Sequence, residues 1–200
     1  MAGKYDAFRQ GVEPGGMFTT ADVRLLVCYL LHTLKEPVSK QVLTDALCEA
    51  GLANYFEIAS AADVLVEQGN AVKKAVGETE KYTISPAGAQ IAETLKMNLA
   101  KSVREKALKY TMYYATLEKR RSENEITVEK AENGEYKVTL QVGKGRDRIL
   151  ALTFFVPTSD QVETLKKGFL LHVDELCQGI FDTLLKDPGA PPSPGKKSQP

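Results

Sequence analysis

Apolar residues recur every three or four positions near the start of the chain, which is the spacing of an amphipathic helix. The first such segment, residues 20–35, can be capped by Thr19 or Thr20, and Pro37 prevents its continuation. Its predicted apolar face consists of Leu26, Leu30, Leu31 and Leu34.

Two further helices carry recognisable start and stop signals. Ser39 is the predicted N-cap of a helix that ends at Gly51. Asn54 begins a third helix that ends at Gly69, and Glu57 completes a variant of the capping box. The spacing predicts that the third helix turns inward Tyr55, Ile58, Ala62, Leu65 and Val66.

The stretch "NAVKKAVGETEKYTISPAG", residues 70–88, changes to the pattern of short strands. "AVKKAV" and "KYTIS" flank residues 77–80, a loop of hairpin length. Ser85 then caps a helix that has Pro86 at its first position. Three short helices followed by a β-hairpin predict a winged helix, an elaboration of the helix-turn-helix in which the hairpin is the wing.

Helical periodicity then runs from Pro86 to about Arg121, which predicts one rod roughly 50 Å long. A rod of that length cannot bury its apolar stripe against the small winged domain alone. Part of the stripe is therefore expected to pack on the C-terminal half or on a second subunit. The residues assigned to dimerisation are Leu95, Leu99, Val103, Tyr110, Tyr114 and Leu117.

Strand signals return in residues 124–130, 135–143 and 148–156, and Asn133-Gly134 marks a hairpin between the first two. Thr158 and Gln161 form the capping box of a last helix. The predicted buried face of that helix is Val162, Leu165, Phe169, Val173, Leu176, Ile180 and Leu184.

The predicted fold class is therefore α+β: an N-terminal winged helix-turn-helix, a long connecting helix, and a C-terminal three-stranded antiparallel sheet packed with a helix. The expected division is a mobile arm (1–16), a winged-helix domain (17–95), a connecting helix (96–122), an α+β domain (123–186) and a disordered tail (187–200).

Composition excludes several classes of protein. No run approaches the roughly 18 apolar residues of a membrane span, and the start lacks a secretory signal, so a cytoplasmic protein without a membrane partner is expected. Cys28, Cys48 and Cys177 lack a CxxC spacing and fall in apolar helical patterns, which favours core positions. No cofactor or metal is expected, since Cys28 and His32 alone do not make a metal site.

Charge is distributed unevenly along a chain of zero net charge. Residues 1–95 carry 8 basic and 12 acidic groups (−4), residues 96–122 carry 8 and 2 (+6), and residues 123–200 carry 10 and 12 (−2). The basic middle segment can contact nucleic acid or an acidic partner, such as the winged domain of a second subunit, or it can be a solvated helix face.

The segments "RLLVCYLLHTLKEPVSKQVLTDALCEAGLANYF", "YTISPAG", "SVRE" and "VPTSDQ", in this order, resemble the bacterial family catalogued as domain of unknown function 4364. The similarity covers residues 17 to 186 and is most specific at Asn54-Tyr55-Phe56 and Val156-Pro157-Thr158. The resemblance implies a winged helix, a long connecting helix and a small α+β domain. The family is generally labelled as transcriptional regulators by analogy with the winged fold.

A winged helix that binds DNA places its third helix in the major groove and its wing near phosphates. The residues predicted to contact double-stranded DNA are Ser39, Lys40, Asn54, Tyr55, Lys73, Lys74 and Lys81. The third helix, however, offers no basic residue, and its Glu57 and Asp63 would face a polyanion. The wing lysines are equally typical of a solvated edge strand.

Two functions remain open at this point. The first, favoured by a small margin, is a homodimeric DNA-binding regulator. The second is a winged helix that has lost DNA binding and serves as a protein-interaction or assembly module. An enzyme is not expected, because no catalytic constellation of side chains can be assembled from the two histidines and three cysteines. The loop "GKGRDR" joins two strands and lacks the phosphate-loop pattern, so no catalytic residue is assigned.

Overall fold

A computed structural model describes residues 19–77 and 79–186, and these fall into two compact units that meet in sequence at Lys119 and Arg120. The described residues form an α+β fold with six α-helices and two three-stranded antiparallel sheets. The mobile arm and the tail predicted from the sequence lie outside the described residues. No helix in the described ranges is long and apolar enough to cross a membrane.

The first unit begins with three helices and a hairpin. Its elements are α1 (Thr20–Leu34), β1 (Val38–Ser39), α2 (Lys40–Glu49), α3 (Tyr55–Glu67), β2 (Ala71–Val76), β3 (Thr79–Ile84), α4 (Pro86–Leu95) and most of α5 (Lys101–Glu123). The short strand β1 pairs with β3, which gives the antiparallel order β1-β3-β2. We call β2 and β3 the first hairpin.

The predicted caps form as expected. The side chains of Thr19, Ser39, Asn54 and Ser85 each accept a hydrogen bond from the backbone N–H three residues later. Each cap satisfies a backbone donor that the first helical turn leaves without an intrahelical partner.

The core of the first unit lies between α1, the helices packed against it and β3. Its largest fully buried side chains include Leu26, Leu30, Leu43, Ile58 and Tyr82. Gly88 lets α4 approach closely, because a Cβ at this position would lie 2.0 Å from the carbonyl oxygen of Asn70.

The prediction of one continuous rod from Pro86 to Arg121 is wrong. The helix breaks after Leu95 into a 3₁₀ turn at Lys96–Asn98, and Leu99 has an extended backbone before α5 begins. The break turns Leu99 into the core, where its side chain is 2 % exposed. The chain thus forms the 10-residue helix α4 and the 23-residue helix α5 in place of one continuous helix, and the break between them buries apolar surface that a continuous helix would leave uncovered.

The second unit contains the predicted meander and last helix. Its strands are β4 (Glu125–Lys130), β5 (Tyr136–Val142) and β6 (Leu150–Val156), with β5 in the centre. Helix α6 (Ser159–Leu184) packs against β5 and β6, and the cap at Thr158 is confirmed. Helix α6 is kinked at His172, whose φ and ψ of −120° and 22° are not helical.

The predicted buried face of α6 is confirmed only in part. Val162, Phe169 and Val173 are buried, but Leu184 is 75 % exposed. The period of the apolar stripe continues beyond the part of the helix that has core beneath it, and periodicity alone does not reveal where that support ends.

Candidate functional site

The structure gathers the predicted lysines around the first hairpin. Ser39 pairs with Lys81 across β1 and β3, and Lys81 in turn pairs with Lys74 across the hairpin. Lys73 is the next residue along β2 and pairs with Tyr82. Sequence reasoning therefore identified residues that do lie close together.

Lys40, at the start of α2, is bound by a carboxylate of α3. Its Nζ lies 2.8 and 2.7 Å from the two carboxylate oxygens of Asp63. The hydroxyl of Tyr82 donates to the same carboxylate at 3.0 Å, and Lys40 lies 5.8 Å from the centre of the tyrosine ring. This network joins α2, α3 and β3, and it neutralises the lysine that was predicted to contact phosphate.

The pKa shifts in this network follow from its contacts. The hydrogen bond from Lys40 is the largest influence on Asp63 and holds the pKa of that carboxyl below its usual value. Partial burial lowers the pKa of Lys40, but the interactions with Asp63 and Tyr82 outweigh that effect, and the net pKa is raised. Both groups are therefore charged across the physiological range.

Two lysines of the first hairpin also form ion pairs within the first unit. Lys73 Nζ lies 3.1 Å from an oxygen of Glu80, and Lys81 Nζ lies 2.6 Å from an oxygen of Glu118 on α5. The Lys81–Glu118 side chains are only 21 % and 27 % exposed, so this pair ties the hairpin to α5. For Lys74, no ion pair occurs among residues 19–77 and 79–186.

The two polar caps in the predicted site contact backbone. The Ser39 hydroxyl is buried and accepts from the N–H of Val42 at 3.1 Å. The Asn54 side chain accepts from the N–H of Glu57 at 3.0 Å. Both side chains therefore have a structural role at a helix start.

The start of α3 exposes an aromatic pair. Tyr55 is 52 % exposed and Phe56 is 81 % exposed, with their rings edge to face at 5.6 Å. The prediction that Tyr55 turns inward is wrong, because the buried stripe of α3 begins one turn later, at Ile58. Sequence reasoning missed Phe56, although its position two residues before Ile58 places it off the buried face.

The rest of α3 has one exposed carboxylate and contains no lysine or arginine. Glu67 is exposed, whereas Glu57 is half-buried with one carboxylate oxygen shielded from solvent, and Asp63 is paired with Lys40. The surface formed by Tyr55, Phe56 and Glu67 is here called the α3 surface. It combines apolar anchors with a negative charge, a composition suited to a positively charged partner that presents an apolar pocket.

Most of the stripe that was predicted to mediate dimerisation is covered within one chain. Leu99 and Val103 belong to the core of the first unit, and Tyr110 and Tyr114 pack against it. Leu117 is 6 % exposed, whereas Leu95 is 40 % exposed. A homodimer stays a prediction, and of these six residues Leu95 is the one whose side chain is exposed.

Several basic side chains of residues 96–122 also form contacts with other side chains of the chain. The guanidinium of Arg104 lies 5.8 Å from the centre of the Tyr29 ring, and Lys101 lies 3.7 Å from Glu105. Arg120 forms a two-pronged ion pair with Asp174. This pairing lowers the positive charge available for a polyanion.

Cys28 and His32, the two residues considered as metal ligands, contact other groups. The Cys28 thiol donates to the carbonyl of Gly88 at 3.1 Å, and His32 lies 3.5 Å from Glu93. Within residues 19–77 and 79–186, no group of three or more potential metal-ligating side chains is found.

Comparison with known proteins gives one match. A family model with the description "Domain of unknown function (DUF4364)" matches residues 23–184. No curated protein and no solved structure matches the chain.

Proposed function

Because the chain belongs to the family described as domain of unknown function 4364, a description that assigns no activity, we propose its function from the fold and surface: it is a winged-helix protein-interaction module that docks through the α3 surface. This is the second of the two functions that the sequence leaves open.

The order of elements in the first unit supports the winged-helix assignment. Helix α1, strand β1, helices α2 and α3, and the first hairpin follow one another, and β1 completes a three-stranded sheet with the hairpin. That arrangement is the one expected of a helix-turn-helix elaborated by a wing.

One observation carries the choice between the two functions. Lys40, Lys73 and Lys81 each form an ion pair with a carboxylate of the same unit. A lysine held in this way must break its pair before it can replace the counterions of a phosphate backbone, which removes much of the electrostatic gain of DNA binding. The sequence slightly favoured a DNA-binding regulator; the ion pairs favour the protein-interaction module instead.

The exposed aromatic pair supports protein docking. Large aromatic side chains are enriched among the residues that dominate protein–protein binding energy. Phe56 exposes four fifths of its surface, next to a tyrosine and on a helix that has an exposed glutamate, Glu67, and no basic residue. We therefore expect a partner with a basic rim around an apolar pocket.

The direct test is affinity capture with the full chain and matched variants. The double variant Tyr55→Ser/Phe56→Ser should lose a defined set of basic proteins that the unmodified chain retains. Leu184→Ser is the control, since Leu184 is a 75 % exposed leucine in the second unit. Equal capture by all three chains would refute docking through the α3 surface.

The second candidate, a homodimeric DNA-binding regulator, is favoured by one feature. Lys74 lies directly across the hairpin from Lys81, and among the described residues it forms no ion pair, so its charge is available to a phosphate. Fluorescence anisotropy with a random DNA duplex tests this candidate, at about 50 and 200 mM salt. We expect no binding; tight, salt-sensitive binding that Lys73→Glu/Lys74→Glu abolishes would establish DNA contact instead.

A gain-of-function variant tests whether these ion pairs prevent DNA binding. In Glu80→Gln/Glu118→Gln, Lys73 and Lys81 lose their partners. Weak, salt-sensitive DNA binding should then appear. The corresponding control is Glu129→Gln, which releases Lys137 from a similar exposed pair in the second unit.

A further inference from the structure

The two edges of the sheet in the second unit differ in chemistry. Strand β4 carries three charged residues, Glu125, Glu129 and Lys130, which are typical of an edge that stays in solvent. At the opposite edge, residues 149–157, "ILALTFFVP", contain no charged residue, although Phe155 is 65 % exposed. Strand β6 pairs with β5 on one side, and no other described strand pairs with its outer side. An apolar edge of this kind is a template for a further strand.

The chain's own C-terminal segment is unsuited to add that strand. Residues 187–200 contain five prolines, and a proline cannot donate a hydrogen bond to a neighbouring strand. A second β6, by contrast, pairs with the first in antiparallel fashion about a two-fold axis perpendicular to the sheet. With Thr153 at this axis, all seven residues of β6 face a partner residue.

The apolar side chains of β6 match one another in this register. Leu152 and Phe154 lie on the face covered by α6, because their partners on β5 are the buried residues Leu140 and Val138. Across the axis, Leu152 of each copy meets Phe154 of the other. The partly exposed Phe154 thereby gains an apolar neighbour.

A row of threonines crosses the open face of the sheet. Thr127, Thr139 and Thr153 are paired in register across β4, β5 and β6. The hydroxyl oxygens of Thr139 and Thr153 lie 3.2 Å apart. At the axis Thr153 meets Thr153 of the second copy, so the row continues through both sheets. On the same face Ala151 meets Phe155, which sets a small side chain opposite a large one.

Charge at the two ends of β6 favours the same pairing. Arg148 precedes the strand and Asp160 follows it, and both are exposed and form no ion pair with another described residue. The register sets Arg148 opposite Thr158 of the second copy, two residues before Asp160. Opposite charges therefore meet at both ends of the paired strands.

These charges lie on the same face of the sheet. Arg148 has an extended backbone, so the alternation of side chains puts it on the face of Leu150 and Leu152. That is the face on which α6 packs, and the first turn of α6 carries Asp160. A two-fold axis perpendicular to the sheet keeps the α6 faces of both copies on one side.

We propose that β6 pairs in antiparallel fashion with β6 of a second copy, centred on Thr153, and joins two three-stranded sheets into one. This interface differs from the α5 stripe predicted from the sequence. It lies in the second unit and does not depend on docking through the α3 surface.

Sedimentation velocity of the full chain, over about two decades of concentration, measures the association. We expect a reversible monomer–dimer equilibrium. Thr153→Lys should raise its dissociation constant at least about tenfold, because two ammonium groups would lie directly opposite each other at the axis. Thr127→Lys is the matched control, since Thr127 is an exposed threonine of the same row on the other edge, and it should leave the equilibrium unchanged.

Cysteine cross-linking tests the register. Residues directly opposite in an antiparallel pair have Cα atoms about 4.5–5.5 Å apart, which is within the range of a disulfide. Thr153→Cys should therefore form an intermolecular disulfide under oxidation. Thr127→Cys should not exceed the background that the natural cysteines give in the unmodified chain.

Charge reversal adds a rescue. Arg148→Asp and Asp160→Arg should each weaken the dimer, and the double variant should restore it. A monomer at every concentration would mean that another segment covers this edge or that it stays open, and would overturn the proposal. A dimer insensitive to Thr153→Lys, or equal cross-linking through Thr127→Cys and Thr153→Cys, would overturn it as well.

Discussion

At the scale of single residues, the surroundings of a side chain decide what it can do. Lys40 has the position of a phosphate contact, at the start of a helix, yet its ammonium lies between the carboxylate of Asp63 and the ring of Tyr82. The three groups come from α2, α3 and β3, so the pair holds three elements together. The contacts of Lys40 therefore stabilise the packing of α2 on α3 and β3.

The Asp63 carboxylate makes stability depend on acid. Its pKa is lowered in the folded chain, so its stabilising effect is fully present above the ordinary pKa of an aspartate and disappears as the pH falls through the lowered value. Asp63→Asn should cost about 1 kcal/mol at neutral pH, because the pair is half exposed. Urea unfolding should show this gap closing in acid.

Glu67→Gln, a substitution at an exposed position of the same helix, provides the control. A difference between the unmodified chain and Asp63→Asn that stays constant down to pH 2 would contradict the assignment.

The Cys28 thiol is predicted to be inert. Burial raises its pKa to about 11. At pH 8 roughly one thiol in a thousand is then ionised, and only the thiolate reacts quickly. Iodoacetamide should modify Cys48 and Cys177, which are half-buried, before Cys28. Peptide mass spectrometry checks the order, and equal labelling of all three cysteines in the native chain would show that the core around Cys28 opens.

At the scale of elements, the position at which a helix ends depends on which residues the following turn buries in the core. Residues 96–100 contain no proline and no glycine, and their propensities permit a helix. The chain nevertheless leaves the helix at Leu99, because the turn buries that leucine and aligns Val103 and Ala107 with the same core. Tertiary burial outweighs local propensity here.

The contact of α4 with the end of α3 gives a test at this scale. Gly88→Ala should destabilise the first unit by about 1–3 kcal/mol or more, since its Cβ would overlap the Asn70 carbonyl that accepts from Ser85. Gly168→Ala in α6 has open space around the new Cβ and should be neutral or stabilising by up to about 1 kcal/mol. Urea unfolding compares the two; equal effects would mean that the helix packing is looser than described.

At the scale of the whole molecule, the two units have separate hydrophobic interiors. The first includes Leu43, and the second includes Val138 and Leu140 on its central strand. A substitution in one interior removes contacts from its own unit. A substitution in one interior should therefore lower the local stability of that unit more than that of the other.

Matched leucine truncations test this division. Leu43→Ala and Leu140→Ala should each cost about 2–5 kcal/mol, since both side chains are at most 2 % exposed. Hydrogen exchange followed by mass spectrometry should show faster exchange mainly in residues 19–119 for the first and in residues 120–186 for the second. Uniform acceleration across both ranges would indicate a single cooperative unit.

The sequence by itself determined the features that depend on neighbouring residues. The caps at Ser39, Asn54 and Ser85, the third-helix stop at Gly69 and the hairpin turn at Asn133-Gly134 each involve groups within four positions of one another. The α+β class followed from the order of these elements, and the family from the resemblance of four sequence segments to it. The sequence also predicted that Ser39, Lys74 and Lys81 lie close together, because they occupy strands that pair with one another.

Only the tertiary structure decided which of those residues are available to a partner. The ion pairs of Lys40 and Lys81 join positions 23 and 37 residues apart, and no local pattern reveals such a pairing. Likewise, an apolar period shows which residues share a helix face, but not whether that face meets a core. Leu99 and Leu184 carry the same signal, yet Leu99 is buried and Leu184 is exposed, because the core beneath each face is built by distant parts of the chain.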